Sequence, residues 1–286
     1  MAYSRREGYF RSFDRSQIFF QTWDHPDPKA VILISHGQGE HSECYHRLIH
    51  GLRNESLSFR ALDYRGHGRS DGKRGYAANI QEYLHDYEIF LRAQLEELEK
   101  KSHPVFLLGH SMGAMIQLRV LIENPDIRAR GVICSAPLLG LAVKVPAFKE
   151  HGAKILNQLL PTITMWNELD NSMLTRDPEV LKEFDDDALR HNRISPGVYL
   201  GFLETFDFLQ ARAREFIHPI LFQCPEDDPV VSTPATKDFY EKCGSWDKTL
   251  KLYGGGARHE MYNDIHRAEV FADLAEWLRQ HLEDAK

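Results

Sequence analysis

Gly109-His110-Ser111-Met112-Gly113 sets a serine between two glycines in the pattern G-x-S-x-G. A serine hydroxyl is a poor nucleophile at neutral pH unless a base takes its proton and a third group holds that base. The pattern alone arises by chance in roughly one chain in ten of this length, so its surroundings decide. Val105-Phe106-Leu107-Leu108 before it reads as a buried strand, and the stretch Ala114–Leu121 after it reads as a helix. Strand, tight turn and helix together make a nucleophile elbow, in which a strained turn points the serine Oγ out of the sheet. Glycine suits the flanks because a Cβ there would collide with the neighbouring strand or helix. The chemistry open to such a serine is acyl transfer.

In α/β-hydrolases, which carry this elbow, the base and its acid follow in the order Ser, Asp or Glu, His. Both are available after Ser111, each at the end of an expected strand. His259 is singled out among fifteen histidines by its loop, Gly254-Gly255-Gly256-Ala257-Arg258-His259-Glu260, which follows the strand Thr249–Tyr253. The acid lies in Gln223-Cys224-Pro225-Glu226-Asp227-Asp228-Pro229-Val230-Val231. Counting from the strand favours Asp227, whereas counting back from Val230-Val231 favours Asp228, the residue chosen here. Glu226 is the third candidate, and an acidic exposed turn without a catalytic member is the bland alternative. The oxyanion needs two N–H donors. One is expected from Met112, just after the nucleophile, and the other from Gln38 in His36-Gly37-Gln38-Gly39-Glu40-His41, the loop after the strand ending at Ser35. No phosphate-binding G-x-x-x-x-G-K-[ST] or G-x-G-x-x-G is present. His36, His41 and His46 do not stack on one helix face, and no cysteine or carboxylate cluster completes a metal site. Neither a metal nor a cofactor is expected.

These residues need a frame. The near-continuous apolar runs Ala30–Ser35, Phe59–Leu62, Val105–Leu108, Gly131–Cys134 and Ile220–Gln223 suit parallel strands buried on both faces. Helical patterns alternate with them. One begins after Asn79, with Ile80, Tyr83, Leu84, Tyr87, Phe90 and Leu91 on one face; the last starts near His266. The segment before Trp23 reads as an N-terminal hairpin. Strands alternating with helices give an α/β fold with a mostly parallel sheet covered on both faces. From about Pro137 to Phe216 the rhythm breaks, with three helical stretches and no convincing strand. The expected organisation is core at 1–136, helical cap at 137–216, and core again at 217–286.

Composition narrows the function further. The 286 residues are 42% hydrophobic and 27% charged, ordinary for a globular protein, and the net charge of -7 argues against a nucleic-acid partner. The N-terminus has no apolar signal region, no run is long enough to span a bilayer, and Cys44, Cys134, Cys224 and Cys243 are scattered. A cytoplasmic protein with reduced thiols is expected.

Several segments together resemble the monoacylglycerol lipase and lysophospholipase family of serine hydrolases. His36-Gly37-Gln38-Gly39-Glu40-His41 resembles its H-G-x-G-E-H oxyanion loop, and Asp63–Ser70 its D-x-R-G-H-G-x-S segment. Gly109–Gly113 has the G-H-S-M-G form usual there; Leu174–Pro178 and Ala257–Glu260 resemble part of the cap and the histidine loop. The resemblance implies an α/β-hydrolase core, a helical cap, and cofactor-free hydrolysis of a single-chain acyl ester. Where that family usually carries Gly before the acid, this chain has Cys224-Pro225, so the choice between Asp227 and Asp228 stays open. Asp63, Arg65 and His67 read as loop braces.

On this reading Ser111 attacks the ester, His259 accepts the proton, Asp228 orients the imidazole, and activity falls as His259 protonates below about pH 6–7. The substrate is a small lipid ester. Leu138, Leu139, Leu141, Val143, Val145 and Phe148, interleaved with Lys144 and Lys149, either admit acyl chains and touch membranes peripherally or pack on the core. Rivals are a short-chain esterase, a thioesterase, a non-catalytic binder, and an aminopeptidase using Asp185-Asp186-Asp187 or Glu204 to hold a substrate ammonium. The oligomeric state is not encoded in any pattern found.

Overall fold

The computed structural model describes residues 3–143 and 145–283. Its strands and helices run β1 (Ser4–Arg11), β2 (Gln17–Asp24), β3 (Ala30–Ser35), α1 (His46–Gly51), β4 (Leu57–Leu62), α2 (Ile80–Glu99), β5 (Val105–His110), α3 (Met112–Glu123) and β6 (Gly131–Ser135). There follow α4 (Ala147–Leu159), β7 (Met165–Trp166), α5 (Pro178–Asp186), β8 (Arg193–Ile194), α6 (Pro196–Arg212), β9 (Ile220–Pro225), α7 (Thr233–Lys242), β10 (Lys248–Tyr253) and α8 (Arg267–Glu283).

Eight strands form one sheet in the order β1-β2-β4-β3-β5-β6-β9-β10. The β1–β2 hairpin and the β2–β4 pair are antiparallel; every other pairing is parallel. The apolar runs read from sequence are the central strands. Ile32, Leu33, Phe106, Leu107, Leu108, Ile133 and Leu221 are all fully buried, as strands covered by helices on both faces require. Asn79 caps α2, its side chain accepting from the Gln81 N–H, and Tyr83, Leu84, Tyr87, Phe90 and Leu91 all face inward.

Between β6 and β9 the chain is not wholly helical, which corrects the expectation of a strandless insertion. Met165 and Trp166 pair antiparallel with Ile194 and Arg193. Two-residue strands carry no readable alternation. α5 stops at Asp186, because Asp187 leaves the helical conformation and its carboxylate accepts from the Leu189 N–H. The apolar stretch after β6 divides. Leu138 and Leu139 are buried and Leu141 bridges to Val231, whereas Val143 and Phe148 stand 71% and 73% exposed. Lys144 lies outside the described residues. Phe148, Ile155 and Leu159 of α4, with Leu160 at its end, are exposed, so this apolar face points outward.

Candidate active site

The carboxyl ends of β3, β5, β9 and β10 converge, the place where open α/β sheets bind ligands. Ser111 follows β5 with φ 51° and ψ -117°, a strained conformation at the mouth of α3. The turn leaves no room beside it. A Cβ on Gly109 would stand 2.5 Å from Ala114 Cα, and one on Gly113 would stand 2.1 Å from the Ser35 carbonyl oxygen. The two glycines are therefore what lets α3 lie against β3 and β5 directly after the serine.

His259 arrives from the loop after β10, with Nε2 2.9 Å from Ser111 Oγ and Nδ1 2.8 Å from Asp228. The neighbouring candidates do not join them: Glu226 and Asp227 are exposed, whereas Asp228 is buried. The other Asp228 oxygen accepts from the Val230 and Val231 N–H groups. Burial opposes ionisation of Asp228, but the His259 imidazole and those two N–H groups outweigh it and lower its pKa. Burial likewise disfavours a charged His259, yet the Asp228 carboxylate prevails and raises the imidazole above its ordinary value.

Gln38 lies on the wall of the pocket above Ser111, and its side chain donates to the Arg193 carbonyl at 2.7 Å. The Met112 side chain is fully buried, and its N–H belongs to the first turn of α3, where an intrahelical acceptor is lacking by construction. The next N–H in the loop, that of Gly37, is already committed to Glu40 at 2.7 Å. Asp63 accepts from the Ser42 and Arg69 N–H groups and Arg65 pairs with buried Asp86, both acting as braces.

Sequence reasoning missed a second layer beneath the serine and histidine. His110 lies against His259, with ring centroids 4.8 Å apart and the planes tilted by 51°, and bonds the Ser135 carbonyl. Burial pushes His110 down to about 4, against the pull of Glu40. Glu40 accepts from Gly37 and Tyr45 and, despite burial, is held at about 2 by His110 and Arg190. Arg190 pairs with Glu260 and lies over the Phe184 ring. The Glu40 and Glu260 carboxylates sit in the family-like motifs, but nothing in the spacing marks Arg190 as their partner. Contrary to the expectation that no cysteine or carboxylate cluster stands by the loop histidines, one forms around His41. Ligand atoms of His41, Cys44 and Asp187 lie within 4.8 Å of one another. Burial pushes the Cys44 thiol up, and Arg190 Nη1 sits 3.3 Å from its sulfur, both unfavourable to a cation.

The pocket over Ser111 encloses about 530 Å³ and is lined by the Gln38 loop, by Leu169, Leu174 and Phe184 from the segment between β6 and β9, and by Val230 and His259. A family model described as serine aminopeptidase, S33, matches residues 26–266. The chain belongs to that family. Human monoglyceride lipase is 30% identical over 278 residues, covering 93% of this chain and 88% of the relative. Phospholipase YtpA of Bacillus subtilis is 28% identical, covering 91% and 99%. The crystal structure of Paleococcus ferrophilus monoacylglycerol lipase superposes with a TM-score of 0.82 at 28% identity, covering 92% of this chain and 99% of that one. The resemblance read from the loops thus extends over almost the whole family chain. The protein is a serine hydrolase of the α/β-hydrolase fold.

Proposed function

We propose that the protein cleaves single-chain lipid esters, a monoacylglycerol or a lysophospholipid, through an acyl-Ser111 intermediate. The contact of His259 with both Ser111 and Asp228 carries this reading. Ser111 Oγ attacks the ester carbonyl as His259 Nε2 takes its proton. Asp228 holds Nδ1–H, fixing the tautomer and supporting the imidazolium. The Met112 and Gln38 N–H groups receive the oxyanion. His259 returns its proton to the leaving alcohol, and water then releases the fatty acid with His259 again as base. These side chains, the two backbone N–H groups and water account for every step. Residues 137–216 serve as a cap on the core formed by 1–136 and 217–286. The lipase and phospholipase relatives support the substrate class. The test is fatty acid release from 1-monoacylglycerols and lysophosphatidylcholine beside an aminoacyl amide. Serine-dependent release from a lipid is expected, and cleavage of the amide alone would refute the proposal. An aminopeptidase is disfavoured by the pocket itself. Asp187 is bonded to His41, Asp185 accepts from Asn171, Glu204 of α6 pairs with Arg119 of α3, and Arg74 and Arg193 on the wall would repel an ammonium.

The elevated pKa of His259 sets a pH dependence. The base must be neutral, and its folded pKa exceeds the ordinary value of about 6.5. The acid limb of kcat/KM is therefore expected to have its midpoint above about pH 6.5. A midpoint near pH 5 would show that another group limits the rate.

The cap is proposed to touch lipid surfaces. Val143, Phe148, Leu159 and Trp166 are 71%, 73%, 73% and 58% exposed, with Val145, Ile155 and Leu160 also open between them. This concentration in one short segment exceeds the scatter of single exposed apolar residues usual on a surface. No helix among the described residues is long and apolar enough to cross a membrane, so the contact would be peripheral. Flotation with phosphatidylcholine vesicles is expected, and to fall when Phe148 and Leu159 are both changed to Ser. Equal flotation by that variant would contradict the assignment.

A further inference from the structure

The wall of the Ser111 pocket carries an unequal distribution of satisfied charges. Arg190 is paired with Glu260. Asp185 accepts from Asn171, and Asp187 is engaged by His41 and the Leu189 N–H. Asp187 is thus engaged twice, whereas Asp185, exposed at the rim with the neutral Asn171 amide as its partner, keeps its charge. Two cations on the same wall, Arg74 and Arg193, differ: among the described residues neither has a carboxylate within 4.0 Å. Arg74 is half-buried and donates through Nη2 to the Gly68 carbonyl at 2.6 Å, while its Nη1 is buried without any partner. A buried guanidinium N–H left unpaired costs free energy, and because Nη1 has almost no accessible surface, a ligand acceptor recovers it only when the Arg74 side chain turns toward the pocket.

The core loop that carries Arg74 and the cap segment that carries Arg193 are joined by hydrogen bonds, and both side chains line the same pocket. The Ser195 N–H donates to the Gly75 carbonyl at 2.9 Å, and Gln38 Nε2 donates to the Arg193 carbonyl at 2.7 Å. Gln38, beside the nucleophile, therefore reaches the segment that carries Arg193. His191 stands with them on the wall but supplies no charge. Its Nε2 engages the Gly66 carbonyl and its Nδ1 accepts from the Arg193 N–H, and burial pushes it down to about 4. What remains free is guanidinium N–H, whose planar fork matches phosphate oxygens.

We propose that Arg74 and Arg193 form a subsite for the phosphate of a single-chain lipid whose ester carbonyl lies at Ser111. The inference rests on the ester-hydrolase reading above and narrows its substrate to lysophospholipids with an anionic phosphate head, such as a lysophosphatidic acid. A glycerol head, being neutral, gains hydrogen bonds there but no charge pairing. Arg193 is exposed, so part of its contribution is screened by salt; Arg74, half-buried, is screened less.

The test compares kcat/KM for 1-oleoyl-lysophosphatidic acid and 1-oleoylglycerol, in the same detergent micelles, for the wild type, Arg74→Gln, Arg193→Gln and the double variant. The wild type is expected to prefer the phosphate lipid by about 10-fold or more, the size of one to two charge-assisted hydrogen bonds. The ratio should fall toward one in the double variant, chiefly through KM. Arg193→Gln lies at the surface and keeps the test open if the change at Arg74 unfolds the protein. A ratio unchanged in every folded variant overturns the subsite while leaving the ester reading intact. Serine-dependent release from neither lipid overturns both. Inorganic phosphate supplies the remaining arm: competitive inhibition of glyceride hydrolysis by phosphate, with lysophosphatidic acid not turned over, would mean a free-phosphate site and contradict the lipid assignment.

Discussion

Ser111→Ala is expected to cut fatty acid release from a 1-monoacylglycerol by about 10⁴- to 10⁶-fold. The fold should survive, because Oγ makes one side-chain contact, with His259, and a methyl group fits the space it leaves. The loss would appear in kcat rather than KM, since the oxygen that forms the new bond is gone while the pocket is untouched. The residual rate would come from the oxyanion donors and from binding. Turnover within tenfold of wild type would mean that a different group or a bound water performs the attack.

The second large effect separates two adjacent carboxylates. Asp228→Asn should lower kcat by about 10⁴-fold. The amide oxygen can still accept from the Val230 and Val231 N–H groups, so the loop is retained, but its NH2 then faces His259 and donates to Nδ1, which fixes the wrong tautomer and leaves the imidazolium without a counter-charge. Asp227→Asn should change the rate by no more than about twofold, as expected of an exposed group outside the contact. The reverse pattern would move the acid by one residue and require the loop after β9 to rearrange in the working enzyme.

The core was legible because its signals are local and strong. Five apolar runs become five central strands, and Asn79 caps α2 where a cap was read. Ser111 and His259 stood out because each combines a strand end with a glycine-rich turn. The acid was harder, since three carboxylates follow β9 in succession and only the fold shows that Asp228 turns inward. α7 went unread although Ser232 caps it and Thr233-Pro234 open it; its amphipathic pattern is short. β7 and β8 are two residues each and exist only through their pairing. The outward apolar face of α4 also lies beyond sequence reading, because 3.6-residue spacing defines a face without saying what covers it. Arg74, Arg190 and Arg193 carry no motif at all. They reach the pocket by tertiary folding of the cap against the Gln38 and Gly66 loops, and their significance lies in which of them find a carboxylate.

The most direct measurement is the site of covalent modification by a fluorophosphonate, located by peptide mass in the wild type and in His259→Ala. The account predicts one adduct, on Ser111, formed rapidly in the wild type and slowed by orders of magnitude when the imidazole is removed. An adduct on another serine, or labelling of Ser111 that is indifferent to His259, would contradict it.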